Sequence, residues 1–145
     1  MNKGIPIIKK YEGLKLQSYL CPANVWTIGY GNTFYENGRR VQQGERIDIR
    51  RAEQLLQITV NQFETAVRNV VRVPITDNQL GALTSFAFNA GVGSLNRSTL
   101  LRKVNGNPND PTIRDEFMKW VRAGGKVLRG LQRRRAEEAD LYFTK

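Results

Sequence analysis

The run Glu12-Gly13-Leu14-Lys15-Leu16-Gln17-Ser18-Tyr19-Leu20-Cys21 continues through Pro22-Ala23-Asn24-Val25-Trp26-Thr27-Ile28-Gly29, and its reading decides the fold. Eight residues separate Glu12 from Cys21 and five separate Cys21 from Thr27. Upstream, Ile5, Ile7, Ile8 and Tyr11 give residues 4–11 the partly apolar face of a short helix, and Gly13 is placed to stop it. Glu12 then falls at the helix C-terminus. Downstream the period changes: Leu16, Tyr19, Val25, Trp26, Ile28, Tyr30 and Phe34 are rich in β-branched and aromatic types, with Cys21-Pro22-Ala23-Asn24 as a turn. A small antiparallel sheet is expected over 17–47, with Asn37-Gly38 as a tight hairpin turn. A carboxylic acid at a helix end, facing a nucleophilic or basic group on a small sheet, is what hydrolysis of an acetal requires. One side protonates the leaving oxygen and the other prepares water.

Beyond the sheet the chain reads as helical. Asp48 offers an N-cap to a long helix over 49–71, whose apolar positions Ala52, Leu55, Leu56, Val60, Phe63, Val67, Val70 and Val71 recur at three and four. Its length, roughly 35 Å at about 1.5 Å per residue, suits a rod between two lobes. Val73-Pro74 closes it. Thr76-Asp77-Asn78-Gln79 is a capping box opening a helix to Asn89, with Gly91 beyond; Ser98 caps 99–105, ended by Gly106. Asp110-Pro111 opens an expected helix over 112–123, ended by Gly124-Gly125, and a last helix covers 131–142. Neither a repeat nor a low-complexity linker interrupts this pattern, so 145 residues are expected to form one domain.

Composition narrows the chemistry. The chain has no histidine, which removes Ser-His-Asp and Cys-His hydrolases and His-ligated zinc sites; one cysteine excludes an all-thiolate zinc site and an internal disulfide. No Walker-type phosphate loop is present. Carboxylate chemistry remains, with the lone thiol as a possible aid. The formal charge of +10 implies an anionic partner: nucleic acid, anionic headgroups or a carboxylate-bearing cell wall. The bias peaks at Lys119, Arg122, Lys126, Arg129, Arg133, Arg134 and Arg135, a run without an acid that equally reads as a solvated helical face. The first residues carry no long apolar segment or small-residue cleavage site, so no secretory signal is expected. The single cysteine suits synthesis in a reducing cytoplasm.

Three segments carry a resemblance. Tyr11-Glu12-Gly13-Leu14-Lys15-Leu16, Trp26-Thr27-Ile28-Gly29-Tyr30-Gly31 and Ser85-Phe86-Ala87-Phe88-Asn89-Ala90-Gly91 resemble the phage-type lysozymes, the endolysins of glycoside hydrolase family 24. The likeness runs on through Ser98-Thr99-Leu100-Leu101-Arg102-Lys103 to Gly130-Leu131 and Arg133-Arg134-Arg135, nearly the whole chain. The resemblance implies hydrolysis of the β-1,4 bond between N-acetylmuramic acid and N-acetylglucosamine in bacterial peptidoglycan. Glu12 matches the general acid. To donate its proton near neutral pH, a carboxyl that ordinarily titrates at about 4.3 has to be raised by burial. Cys21 takes a position where many relatives carry Asp and some Cys; it would act as base, nucleophile or electrostatic partner. A free thiol titrates near 8.5 and needs favourable surroundings to ionise; its bland reading is a small buried hydrophobe. Thr27 would position water, giving inversion, although a strand threonine is its plain alternative.

Substrate contacts are expected from Asn89, with Phe88 beside it, because an amide can pair with both the donor and acceptor of an N-acetyl group; helix capping is the competing role for Asn89. Asn32 stands where relatives often have His, and Arg129 where Pro is common before Gly-Leu. Arg133 or Arg134 would match the arginine that family members bring near the acid. The expected architecture is α+β and lysozyme-like: an N-terminal lobe with the small sheet over about 12–48, a connecting helix over about 49–71, and a helical lobe over about 74–145 with the N-terminal helix, the glycan lying between the lobes. The resemblance implies no metal or organic cofactor and no required nucleic acid. It implies a monomer held in the host cytoplasm until a separate holin opens the membrane. A basic nucleic-acid-binding module and a lytic transglycosylase are the rival readings, and a membrane-disrupting role for the basic end could accompany catalysis.

Overall fold

Ile5 and Ile8 bury one side of helix α1 (Ile5–Glu12), and Gly13 follows at φ +72°, the left-handed conformation that ends a helix at low cost. Glu12 is therefore the last helical residue, as its spacing predicts. The computed structural model describes all residues, Met1–Lys145. Strands β1 (Lys15–Leu20) and β2 (Trp26–Gly29) pair antiparallel, Tyr19 opposite Thr27 and Leu20 opposite Trp26, after a register shift beyond the Lys15–Gly29 pair. The Cys21 N–H donates to the Val25 carbonyl at 3.0 Å and closes the turn between them. Because strand side chains alternate, Tyr19 and Thr27 share one face of this ribbon and Leu20 and Trp26 the other.

The expected turn at Asn37-Gly38 forms: Gly38 has φ +84° and its N–H donates to the Tyr35 carbonyl at 3.0 Å. Its arms hold only a Phe34–Arg40 bridge, so the second hairpin is looser than a strand pair. Helix α2 (Ile49–Val70) starts where Asp48 accepts the Arg51 N–H at 2.8 Å. It stops where the Asn105 amide caps the Val70 carbonyl at 3.1 Å and accepts the Arg72 N–H at 2.7 Å.

Two compact units result: Glu12–Asn61, and Met1–Tyr11 with Gln62–Lys145. The smaller one buries Ile28, Tyr30, Val41, Ala52, Leu55, Leu56 and Val60. The larger one is built around α3 (Asp77–Ala90), buried on all sides from Gln79 to Ala87 and opened by the expected capping box at Thr76 and Gln79. Helices α4 (Val92–Arg97), α5 (Thr99–Gly106), α6 (Ile113–Phe117) and α7 (Arg129–Tyr142) complete it, with Phe86, Leu100, Phe117 and Tyr142 in the shared core. The chain start crosses α3 where both partners are glycine: a Cβ on Gly81 would sit 2.6 Å from the Gly4 nitrogen. Asn2 fixes the crossing by donating to Glu64 and Thr84 at 2.9 and 3.1 Å.

Two elements differ from the sequence reading. The helix expected over 112–123 ends at Phe117, and Gly124-Gly125 turns a hairpin instead of capping a helix. Strands β3 (Arg122–Ala123) and β4 (Lys126–Val127) pair across it, with both glycines at positive φ, +58° and +79°. That is the backbone a two-residue hairpin turn demands, and it competes with the C-cap signal of the same residues. The short α4 is additional; its Val92-Gly93-Ser94 start gave no cap pattern to find.

Candidate active site

Glu12, Cys21 and Thr27 all lie in the smaller unit, with Gly31 and Tyr19 near them. Gly31, at φ +88°, passes so close beneath the Glu12 carboxylate that a Cβ there would lie 3.2 Å from Oε1. Tyr19 pairs with Thr27 across the ribbon. Its phenol is raised above the ordinary value by burial first, then by the negative charges of Cys21 and Glu12, so both groups act on it.

The surroundings of the sulfur favour its charged form. Hydrogen bonding from the Val25 backbone is the largest influence lowering the Cys21 thiol below its ordinary value; partial burial opposes it, and the Thr27 hydroxyl with the Ala23 and Cys21 backbones adds to it. Tight closure of the Cys21–Val25 turn creates this environment. Thr27, buried at 4% exposure, also has the Val25 carbonyl within 3.0 Å of its Oγ1. One hydroxyl proton thus has two acceptors, a carbonyl and a sulfur.

Tyr19 escaped the sequence reading, although its signal was present: counting back across the turn pairs it with Thr27. The positive φ of Gly31 favours glycine there, and closeness to Glu12 adds a second constraint. Asn32 is buried, donates to Thr59 Oγ1 at 2.9 Å and leaves its own Oδ1 without a hydrogen-bond partner. The smaller unit therefore contains one unsatisfied buried acceptor next to the site strand.

The expected substrate residues lie in the larger unit, and they separate. Asn89 lines a cavity of about 410 Å³ with Trp120, Arg122, Leu128, Leu131 and Arg135. Phe88 is absent from its lining and packs on Phe63 instead, ring centroids 5.2 Å apart. The Asn89 side-chain carbonyl accepts from Arg135, which occupies one of its two lone pairs and leaves its N–H donors outside that contact. It does not cap α3; the Gly91 N–H reaches the Ala87 carbonyl.

Arg134 and Arg135 form a buried network that the charge run did not disclose. Glu138, fully buried, accepts from Arg134 Nε at 3.2 Å, Arg135 Nη1 at 2.7 Å and Ser85 Oγ at 2.6 Å. Arg134 also lies over the Tyr11 ring at 5.9 Å, and Tyr11 donates to Glu137. Burial first, then that bond, pushes the Tyr11 phenol up to about 12. Arg133, the other candidate, is exposed. No group of three or more His, Cys, Asp or Glu side chains is arranged to hold a metal ion.

Glu12 ends α1, and Cys21 and Thr27 belong to the β-ribbon that follows it. The family described as phage lysozyme matches residues 9–138. This chain belongs to the phage lysozyme family. Membership places it in a family of glycoside hydrolases. The endolysin of Acyrthosiphon pisum secondary endosymbiont phage 1 is 39% identical over 97% of this phage lysozyme and 95% of its own length. The Bacillus phage B103 endolysin is also 39% identical over 97% of the chain, which spans only 52% of that relative. Among solved structures, the endolysin from Escherichia coli O157:H7 phage FAHEc1 superposes with a TM-score of 0.89 at 35% identity, covering 99% of this chain and 92% of that one. The muramidase domain of SpmX from Asticaccaulis excentricus gives 0.86 at 34%, covering 100% and 97%.

Proposed function

We propose that this phage lysozyme is a muramidase that hydrolyses the β-1,4 bond between N-acetylmuramic acid and N-acetylglucosamine in bacterial peptidoglycan during host lysis. The observation that supports the proposal is Glu12 at the end of α1 with Cys21 and Thr27 on the ribbon that follows, the Cys21 N–H and the Thr27 hydroxyl both reaching the Val25 carbonyl at 3.0 Å.

In this reading Glu12 gives its proton to the glycosidic oxygen as the bond to the anomeric carbon breaks. The Thr27 proton rests on the Val25 carbonyl, so its lone pairs accept one hydrogen of water; the Cys21 thiolate removes the other as the oxygen attacks. A single displacement inverts the anomeric centre. None of these steps requires a metal or organic cofactor. Asn89 contributes N–H donors to a substrate carbonyl, and half-buried Phe88, packed on Phe63, supports it from the neighbouring position. The enzyme acts as a monomer, waits in the host cytoplasm and reaches the wall through a membrane opening made by a separate holin.

The nucleic-acid reading loses ground because Arg134 and Arg135, each 2% exposed, are committed to Glu138. The nearest rival enzyme is a lytic transglycosylase. Mass analysis of released muropeptides separates the two: hydrolysis adds one water per cut, whereas anhydro ends would refute the mechanism above.

A further inference from the structure

The second hairpin of the smaller unit has two unlike sides. On one, charges are matched within the protein: Arg39 pairs with Glu45 at 2.8 Å, Arg51 with Glu36, and the Tyr35 hydroxyl donates to Glu45 at 3.1 Å. On the other lies a pocket of about 280 Å³ formed by Asn24, Trp26, Thr33, Phe34, Val41 and Gln42, with Arg40 beside Phe34. Its floor is apolar, made by half-buried Trp26 and buried Val41. Phe34 is 46% exposed and carries the Arg40 guanidinium over its ring at 5.2 Å.

Several features of this pocket point to a ligand. The side chains of Asn24, Thr33, Arg40 and Gln42 make no hydrogen bond within the protein, whereas those on the opposite side are paired. Neither Asp nor Glu lines the pocket, so the Arg40 charge is uncompensated there. Its volume lies just under the roughly 300–1,000 Å³ of drug-sized sites, which suits one sugar ring. An aromatic floor accepts the apolar face of such a ring, a rim of amides and a hydroxyl matches an N-acetyl group, and a cation matches an acidic substituent. Trp26 neighbours Thr27 in β2 and projects from the opposite face of the ribbon, so this pocket is separate from the face that carries Tyr19 and Thr27.

We propose that this pocket is a second glycan-binding site, which holds an N-acetylated sugar of a wall strand whose peptide stem supplies a carboxylate to Arg40. The inference rests on the muramidase reading for the identity of the polymer. On an insoluble wall, a second foothold makes each return of the catalytic face to the polymer intramolecular and raises its effective concentration. A short soluble fragment cannot span two sites and gains nothing.

The test compares Glu12→Gln with Glu12→Gln/Phe34→Ala/Arg40→Ala for sedimentation with purified peptidoglycan sacculi, binding being read without turnover. In the Glu12-containing protein, the Phe34→Ala/Arg40→Ala pair is assayed on sacculi and on a soluble N-acetylglucosamine–N-acetylmuramic acid tetrasaccharide. The expected results are a loss of about tenfold in sacculus binding, a similar rise in KM on sacculi, and tetrasaccharide turnover within about twofold. Arg40→Glu alone is expected to weaken sacculus binding more than Arg40→Ala. Both Phe34 and Arg40 are exposed, and an unchanged thermal midpoint checks that the fold is intact. Unaltered sacculus binding overturns the proposal, as does an equal fall on sacculi and tetrasaccharide. If the wild type frees no reducing ends yet binding still depends on Phe34 and Arg40, the muramidase reading fails and the binding site stands.

Discussion

The Thr27 hydroxyl stands between the Cys21 sulfur and the Val25 carbonyl, and its single proton can serve only one of them at a time. Donated to sulfur, it stabilises the thiolate. Donated to the carbonyl, it frees the hydroxyl lone pairs for water and leaves the thiolate more basic. In the proposed reaction the choice of acceptor links thiol ionisation to water activation, which makes Cys21 a direct point of test.

Alkylation of Cys21 is expected to stop wall lysis almost completely. Cys21→Asp should retain activity within about tenfold, because a carboxylate also takes a proton from water, while Cys21→Ala should lose 10²- to 10⁴-fold, the usual worth of a positioned base. Turbidity loss of a bacterial wall suspension measures all three. Full activity in the alkylated protein would remove the sulfur from the reaction.

Iodoacetamide labelling against pH reads the thiol directly. Because the folded-state value is depressed, labelling should reach half its plateau at lower pH than in the unfolded chain. The linked stabilisation is present above the unfolded value and is lost as pH falls through the folded one. Thr27→Val removes one donor and should move the midpoint upward; Val25, the larger influence, remains. A folded midpoint at or above the unfolded one contradicts this account.

Gly31→Ala should impair catalysis more than folding. Alanine at φ +88° costs about 1–2 kcal/mol, and its methyl would press on the Glu12 carboxylate from 3.2 Å. A kcat loss exceeding tenfold with a modest fall in thermal midpoint is expected. Unchanged kcat would mean the carboxylate is not held where the mechanism needs it.

Glu138→Gln should be among the most destabilising single changes in the chain. It leaves Arg134 and Arg135 buried without their common counterion, a situation that costs about 3–5 kcal/mol. Urea denaturation measures it; a loss under about 1 kcal/mol would show that water or local movement relieves the two guanidiniums.

Acid should weaken the larger unit through Glu116. Burial pushes that carboxyl up, but hydrogen bonds from Lys119 and Lys103 together outweigh it and hold the carboxyl below the ordinary glutamate value. Its contribution is complete above the unfolded value, about 4.3, and is lost as pH falls through the folded one. Thermal midpoints should fall more steeply below about pH 4 in the wild type than in Glu116→Gln. Identical slopes would exclude Glu116 from acid unfolding.

Where one local pattern had no competitor, the sequence was sufficient to place the element. Gly13 after an amphipathic turn, Asp48 before a long apolar period and the Thr76–Gln79 box each define a helix end by local hydrogen bonding. Gly124-Gly125 had two valid meanings, and only the pairing of Arg122 with Val127 decides between helix stop and hairpin turn. Tyr19 was hidden for a different reason. Its importance comes from strand register, which the Cys21–Val25 turn sets, and not from its residue type. The basic run misled because charge counts do not reveal that Glu138 folds back by one turn of α7 to meet Arg134 and Arg135. Asn89 lines a cavity of the larger unit, yet its side-chain carbonyl accepts from Arg135 in a distant part of the chain, a contact that its residue type does not announce.

Glu12 bears the proton on which the proposed reaction depends, and digestion of purified peptidoglycan by wild type and Glu12→Gln is its most direct measurement. The wild type should release fragments with new N-acetylmuramic acid reducing ends, each carrying one added water, and Glu12→Gln should release at least about a hundredfold fewer at equal folding. Equal release by the two proteins, or ends that are peptide cuts or anhydro sugars, would contradict the account.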